Sequence, residues 1–144
     1  MVERTGSWLP LFAIWLVSLV ATLGSLFFSE VMGLPPCLLC WYQRICMYPL
    51  VAMATVGLLW RDTTVARYIW PLAGVGLSVA VYHNLLYYGL VAEAITPCAQ
   101  GVSCTSRQIE WLGFITIPLL SLVAFAIIVA SLAAFQRERK GSIR

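Results

Sequence analysis

The sequence predicts an all-α integral membrane protein, a four-helix bundle with both termini in the cytoplasm. The composition predicts the class, because 61% of the residues are hydrophobic and 10% are charged, with a mean hydropathy of +0.89. An ordinary soluble domain has about 25% charged residues. A soluble domain of 144 residues could not cover so large an apolar fraction with a polar surface, so that class is excluded.

The charged residues are also segregated along the chain. Three stretches contain no Asp, Glu, Lys or Arg and a fourth contains only Arg44; they are 5–29, 68–92, 111–136 and 33–60. A helix needs about 20 apolar residues to cross the hydrocarbon layer, and each stretch is longer than that. We therefore predict one domain over 1–144. Its spans lie at about 8–28, 41–60, 68–89 and 113–135, and its external loops at about 29–40 and 90–112.

The distribution of Lys and Arg orients the four spans. Of the nine basic residues, all but Arg44 and Arg107 fall at the N-terminus, between spans two and three, or in the C-terminal tail. Cytoplasmic loops carry the excess of Lys and Arg, so this pattern predicts cytoplasmic termini. The net charge of +3 is explained by topology, and we expect membrane lipid but no nucleic acid as a partner.

Four of the five cysteines fall on the predicted external side, in two close pairs. Cys37 and Cys40 form C-L-L-C at the mouth of span two, and Cys98 and Cys104 lie in the second external loop. Thiols outside the membrane tend to be oxidised, whereas cytosolic thiols are kept reduced. Cys46, inside span two, is expected to pack as a small apolar side chain.

The C-L-L-C pair has the spacing of a dithiol–disulfide switch. Two thiols at i and i+3 approach one another on a first helical turn, and the two prolines before Cys37 favour a helix start. The positive end of the helix dipole then lowers the pKa of the Cys37 thiol. In P-C-A-Q-G-V-S-C, Gly101 lets a short loop close into a Cys98–Cys104 disulfide.

Three chemistries stay open for the two pairs. They are a redox relay between water and lipid, two inert structural disulfides, and a four-cysteine site in a membrane metal-binding or assembly protein. Small disulfide loops stabilise by only on the order of 2–3 kcal/mol, which a four-span bundle hardly needs. Structural zinc sites usually use two C-x₂₋₄-C knuckles, and the second pair is too widely spaced. We favour the relay and expect no metal.

Arg44 and His83 are candidate binding residues for the electron acceptor of such a relay. Arg44 follows Cys40 by four residues and Cys37 by seven, so helical periodicity places all three on one face. An arginine there either extends to the external headgroups or stabilises a thiolate or an anionic acceptor. His83, at similar depth in span three, either hydrogen-bonds between helices or helps to bind the acceptor.

These motifs resemble the disulfide bond formation protein B (DsbB) family, in particular its short branch called BdbC. The resemblance rests on C-L-L-C-W-Y-Q-R, the Y-H of span three, P-C-A-Q-G-V-S-C and W-L-G-F-I-T-I-P-L-L, in this order over nearly the whole chain. It implies a four-helix enzyme of the bacterial plasma membrane with extracytoplasmic redox cysteines. Such an enzyme reoxidises a thioredoxin-like thiol oxidase (DsbA/BdbD type) and reduces a quinone, menaquinone or ubiquinone, supporting disulfide formation in secreted proteins.

The resemblance also implies a role for each cysteine of the two pairs. Cys98 would form the mixed disulfide with the oxidase, and Cys104 would be its partner in the Cys98–Cys104 disulfide. Cys104 would exchange with Cys37 of a Cys37–Cys40 disulfide, and Cys40 would be the thiolate beside the quinone. Better-known members have a much longer loop between the second pair, so the spacing here leaves the order of exchange open.

Two further roles follow from the same resemblance. Arg44 would lie on the quinone, and His83 matches a family histidine near the same site. The vitamin K epoxide reductases are a related type of thiol–quinone relay. Their C-x-x-C normally lies late in the bundle, whereas the C-x-x-C of this chain opens span two.

Overall fold

The computed structural model describes residues 8–91, 104, 110–111 and 115–143. The elements are α1 (Trp8–Leu26), α2 (Leu38–Leu59), α3 (Val65–Tyr87), β1 (Glu110–Trp111), β2 (Ile115–Thr116) and α4 (Ile117–Ile143), and α1 continues into a π-helical turn (Phe27–Val31). The helices α1 and α3 each pack against both α2 and α4. This arrangement confirms the predicted four-helix bundle.

The helices have the length and surface of membrane spans. Three segments are long and apolar enough to cross a bilayer: Trp8–Val31, Val65–Tyr87 and Ile117–Glu138. With 22 residues, α2 can also reach across a hydrocarbon layer of about 30 Å, but it carries Gln43 and Arg44. The described surface of the bundle exposes many large apolar side chains, as expected of a surface that faces lipid.

All four helices contribute side chains to the core of the bundle, and within it α3 and α4 approach one another closely. Phe125, Ile128 and Leu132 of α4 are fully buried, together with Ile69 of α3. A Cβ atom added at Gly76 of α3 would overlap the ring of Phe125. Small residues let helix backbones approach in membrane bundles, and Gly76 serves that purpose here.

The start of α2 and the end of α3 lie at the same end of the bundle, because consecutive helices joined by a short turn run antiparallel. At this end α3 is terminated two residues after Tyr87 by Gly89, whose φ of +74° is favourable for glycine. The Gly89 N–H donates to the Leu86 carbonyl at 3.0 Å and the Leu90 N–H to the Leu85 carbonyl at 2.9 Å, which is a Schellman ending. This end carries the predicted site.

The segment before α4 differs from the predicted span boundary at residue 113. Ile115–Thr116 pairs with Glu110–Trp111 as a two-residue antiparallel hairpin, and α4 begins at Ile117. Pro118 in the first turn explains this start, because a proline lacks the N–H that deeper helical positions require. The tail continues the helix to Ile143, since Gln, Arg, Glu and Lys are good helix formers. Which part of each helix lies in the membrane stays a prediction.

Candidate functional site

Cys37 and Cys40 are positioned by the first turn of α2. Cys37 is the N-cap residue, with an extended backbone (φ −70°, ψ 170°), and its Sγ accepts a hydrogen bond from the backbone N–H of Cys40 at 3.4 Å. The two Sγ atoms are 2.9 Å apart, and both thiols are free. A covalent S–S bond is about 2.05 Å long, so the structure presents a contacting dithiol, and the Cys37–Cys40 disulfide stays a prediction.

The two thiols of this pair differ in acidity. A hydrogen bond from the Cys40 thiol lowers the pKa of Cys37 from 9.0 to about 4, with further help from His83 and against the effect of burial. The same thiol–thiol bond, together with burial, raises the pKa of Cys40, which the positive charge of Arg44 partly opposes. In the dithiol, Cys37 is therefore the thiolate and Cys40 carries the proton, in the direction that the helix dipole predicts.

His83 on α3 lies between the start of α2 and Cys104. Its side chain is 1% exposed, and its Nδ1 is 3.2 Å from Nε2 of Gln43. Its Nε2 is 3.3 Å from the Cys104 carbonyl oxygen and 3.8 Å from the Cys37 Sγ. Hydrogen bonding between helices, one of the two predicted roles of His83, is confirmed.

Cys104 of the second pair lies in the same buried cluster as Cys37 of the first. It is buried in one cluster with Cys37, Leu39 and Leu86, and its sulfur takes part in a disulfide. Cys98 lies outside the described residues, so the Cys98–Cys104 pairing and the contact of Cys98 with an oxidase stay predictions. A disulfide-bonded Cys104 is no thiolate ligand, which weakens the four-cysteine metal alternative.

One local feature still fits a metal ion. The ligand atoms of Cys37, Cys40 and His83 all lie within 4.8 Å of one another. Two thiolates and an imidazole are a zinc-like donor set, but zinc sites use four ligands in a tetrahedron. The described residues thus offer three of the four.

Arg44 is buried against the end of α1. Its side chain is 9% exposed, and its Nε and Nη2 donate to the hydroxyl and the carbonyl of Ser25 at 2.8 and 2.9 Å. The ring of Trp41 lies 5.5 Å from the guanidinium carbon, within cation–π range. The guanidinium is therefore held by Ser25 of α1 and by Trp41.

A cavity of about 530 Å³ lies between α1, α2 and α4. Its walls are largely apolar, and the polar side chains near the start of α2 are Ser25, Cys40, Gln43 and Arg44. Cys40 and Arg44 share this wall, as periodicity predicted, but Cys37 does not line it. Cys37 is the extended N-cap residue before the helix, and its Sγ contacts that of Cys40 at 2.9 Å; that all three share one face stays a prediction for Cys37.

Comparison with known proteins assigns the family. The family described as disulfide bond formation protein DsbB matches residues 7–135. The chain belongs to the DsbB family. Disulfide bond formation protein C of Bacillus subtilis (strain 168) is 43% identical over 129 residues, 90% of this chain and 94% of the relative. A probable disulfide formation protein of Metapseudomonas resinovorans is 42% identical over 133 residues, 92% of each chain. No solved structure gives a significant match.

Membership of the DsbB family confirms the resemblance found in the motifs, including that to the short branch. It supports oxidoreductase activity and a role in disulfide bond formation for a bacterial membrane protein. It also implies that the protein partner is a thiol oxidase. The quinone, the particular oxidase and the face that carries the cysteines belong to the proposal below.

Sequence reasoning assigned no role to two polar residues of this DsbB-family site. Gln43 contacts His83 and borders the cavity. Its position next to Arg44 in an otherwise apolar span was the sequence feature that could have identified it as a site residue. Ser25 binds Arg44 only because α1 packs on α2, and a serine in α1 carries no sequence signal of that contact. His83 does not line the cavity, so its binding of a quinone stays a prediction. Cys46 packs in the core as expected.

Proposed function

We propose that this DsbB-family protein reoxidises an extracytoplasmic thioredoxin-like thiol oxidase and passes the electrons to a membrane quinone, supporting disulfide formation in secreted proteins. One observation carries the proposal: the two sulfurs of the first pair have different surroundings. Cys37 contacts His83 and shares a buried cluster with Cys104, whereas Cys40 borders the apolar cavity. One sulfur is thus placed for thiol exchange and the other for an acceptor in the cavity.

The thiol side of the reaction begins with two exchanges. The oxidase thiolate attacks Cys98 of the Cys98–Cys104 disulfide, and Cys104 leaves as a thiolate. That thiolate attacks Cys37 of an oxidised Cys37–Cys40 pair, so the Cys37–Cys104 bond forms and Cys40 leaves with the electron pair. Each exchange breaks one disulfide and forms one.

Two further exchanges complete the transfer of two electrons. The second thiolate of the oxidase attacks its own mixed disulfide, which releases the oxidised oxidase and a Cys98 thiolate. Cys98 then attacks Cys104, restoring the Cys98–Cys104 disulfide and leaving Cys37 and Cys40 as a dithiol. The two electrons of the oxidase now reside on the first pair, next to the cavity.

The cavity fits a flat ring compound that carries carbonyl oxygens and an apolar tail. Its volume of about 530 Å³ is within the range of about 300–1,000 Å³ typical of ligand pockets. The apolar walls suit the ring and tail, and the Arg44 guanidinium and Gln43 amide supply hydrogen-bond donors for carbonyl oxygens. A bound quinone supplies the two-electron acceptor that the dithiol requires. Arg44 also favours the thiolate form of Cys40 beside the cavity.

The proposed location is the bacterial plasma membrane, with the site at its extracytoplasmic face. The site lies where α2 starts and α3 ends, opposite the end of the bundle that carries Arg61 in the α2–α3 turn and Arg67 in the first turn of α3. Cytoplasmic connections are the basic ones, and this supports an external site. Such a site is open to a thiol oxidase that acts on secreted proteins.

A membrane metal-binding protein is the second candidate function. The observation in its favour is the clustering of the ligand atoms of Cys37, Cys40 and His83. The two functions predict different oxidation states of the cysteines in the purified protein, because bound zinc or copper requires reduced thiols. Metal analysis of the purified protein therefore separates the two functions.

The test of the proposed function combines the purified protein, a reduced thioredoxin-like oxidase and a soluble quinone analogue, and follows quinone absorbance. We expect turnover by the wild type and its loss on each of four substitutions: Cys37→Ser, Cys40→Ser, Cys98→Ser and Cys104→Ser. Cys46→Ala is the matched control and retains turnover, because Cys46 packs in a core cluster that contains neither Cys37 nor Cys104. Absence of quinone reduction with several oxidases, together with stoichiometric metal, would favour the metal-binding function instead.

A further inference from the structure

His83 has a polar partner on each ring nitrogen, and one of these partners belongs to the second cysteine pair. On one side Nδ1 is 3.2 Å from the amide nitrogen of Gln43. On the other side Nε2 is 3.3 Å from the Cys104 carbonyl oxygen and 3.8 Å from the Cys37 Sγ. The imidazole of His83 on α3 thus connects α2 to Cys104.

The Gln43 contact determines which nitrogen of the ring carries the proton. An amide nitrogen donates hydrogen bonds and does not accept them, so Nδ1 of His83 must be the acceptor. A carbonyl oxygen only accepts hydrogen bonds, so Nε2 is the donor to the Cys104 carbonyl. The Cys37 sulfur lies beside the same donor.

Burial makes this connection hard to replace. His83 is 1% exposed, Gln43 6%, Cys104 3% and Cys37 5%. A buried carbonyl that loses its donor keeps the full cost of desolvation. The bond from His83 therefore stabilises the position of the Cys104 backbone beside the start of α2.

We propose that His83, oriented by Gln43, is a positioning residue that holds Cys104 beside Cys37, so that exchange between the two pairs runs through these two sulfurs. This inference rests on the proposed function. In the exchange the Cys104 thiolate attacks the Cys37 Sγ, the Cys37–Cys104 bond forms, and the electron pair of the broken bond leaves on Cys40.

The inference assigns His83 to the thiol side of the reaction. Cys104 is already buried with Cys37, so a wide separation of the second pair is not required. A role for His83 at the acceptor predicts a different result, a change in quinone affinity without a change in thiol exchange.

The experiment measures the effective concentration of Cys104 at Cys37 in the full-length protein, by equilibration with glutathione buffers and thiol trapping. It needs neither a quinone nor an oxidase, so its failure is distinguishable from failure of the proposed function. A background of Cys40→Ser, Cys46→Ala and Cys98→Ser leaves only the two thiols of interest. In it, His83→Leu is expected to lower the effective concentration about tenfold, the effect of losing one buried hydrogen bond.

Two matched measurements separate positioning from general damage. His83→Gln keeps an N–H donor near the position of Nε2, and we expect it to stay within about threefold of His83 itself. In a second background, Cys46→Ala with Cys98→Ser and Cys104→Ser, His83→Leu should not weaken formation of the Cys37–Cys40 disulfide, because this pair lies on one helical turn and the His83 contact stabilises the reduced Cys37 thiolate.

Three results would overturn the inference. They are an unchanged Cys37–Cys104 equilibrium in His83→Leu, equal losses in His83→Leu and His83→Gln, and equal losses in both backgrounds. The first would leave His83 without an effect on the exchange. The second would show that ring packing matters and not the donor, and the third that the fold as a whole is damaged.

Discussion

Arg44 on α2 donates two hydrogen bonds to Ser25 on α1, from Nε to the hydroxyl at 2.8 Å and from Nη2 to the carbonyl at 2.9 Å. Both residues line the cavity, so these bonds connect two of its walls. A planar guanidinium can bind two acceptors of one residue in this way, whereas an ammonium is a flexible point charge. Ser25 thereby fixes the direction of the positive charge near Cys40.

The first prediction concerns this contact. Ser25→Ala removes the acceptor of the Arg44 Nε and lets the guanidinium reorient, so the KM for a quinone analogue should rise about threefold to tenfold. Arg44→Lys removes the planar donors and should raise it between about tenfold and a hundredfold. Steady-state kinetics with a saturating reduced oxidase measures both effects.

Ser29→Ala is the matched control for Ser25→Ala. Its hydroxyl lies one turn further along and bonds only locally, to the Leu26 carbonyl and Glu30. The KM of this variant should equal that of the wild type. A Ser25→Ala protein with an unchanged KM would show that the contact does not shape the acceptor site.

The second prediction is that Cys37 of the reduced pair reacts as a thiolate at neutral pH. Its pKa is lowered to about 4, and a lowered pKa means that the charged form is present above that value and is lost only as the pH falls towards it. Alkylation of Cys37 should therefore be nearly constant between pH 6 and 8. An ordinary thiol would gain about tenfold per pH unit over this range.

The largest cause of this lowered pKa is the hydrogen bond from Cys40, and substitutions there test it. Cys40→Ser keeps a hydroxyl donor, so Cys37 should stay reactive at pH 6, whereas Cys40→Ala should move its alkylation profile upward in pH. Mass spectrometry of the Cys37 peptide gives the rates, in protein that carries Cys46→Ala. A tenfold rise per pH unit with the intact pair would contradict the assignment of the thiolate.

Local sequence patterns were sufficient to predict the bundle and most of the site. Charge-free stretches of span length predicted the helices, and the four-residue spacing of Cys40 and Arg44 placed both on the cavity wall. Cys37 is the N-cap, one residue before the helix, and it does not line the cavity. A boundary shift of a few residues changes which neighbours a cysteine faces, and local patterns predict boundaries less well than elements.

The contacts between helices could not be predicted in this way. The bonds of Arg44 to Ser25 and of His83 to Gln43 join residues 19 and 40 positions apart. They depend on the rotation of each helix about its axis, which is set by packing at positions such as Gly76 and Phe125. The cavity has the same origin, since three helices supply its walls.

The third prediction tests the cavity as the acceptor site. Gly24 borders it, and a Cβ atom built there meets no atom within 4 Å. Gly24→Leu should therefore be accommodated by the fold and occupy part of the cavity, raising the KM for the quinone analogue. Gly74→Leu is the control: this glycine also has open space around its Cβ position, but it lies on α3 and does not line the cavity. Equal kinetics of the two variants would place the acceptor elsewhere.

The fourth prediction concerns the approach of α3 to α4. A Cβ atom at Gly76 would overlap the ring of Phe125, which is fully buried. Gly76→Ala must therefore displace this ring or separate the helices, and overpacking of this kind costs about 1–3 kcal/mol. We therefore expect Gly76→Ala to unfold at a lower fraction of denaturing detergent than the wild type when both are titrated in mixed micelles.

Gly74→Ala provides the comparison, because it makes the same chemical change on the same helix with no atom within 4 Å of the new Cβ. Replacing glycine by alanine inside a helix stabilises it by roughly 0.5–1 kcal/mol, so this variant should unfold no earlier than the wild type. Adding Phe125→Leu to Gly76→Ala should recover part of the loss, since the smaller side chain relieves the overlap; two losses that simply add would show that Gly76 and Phe125 are not coupled.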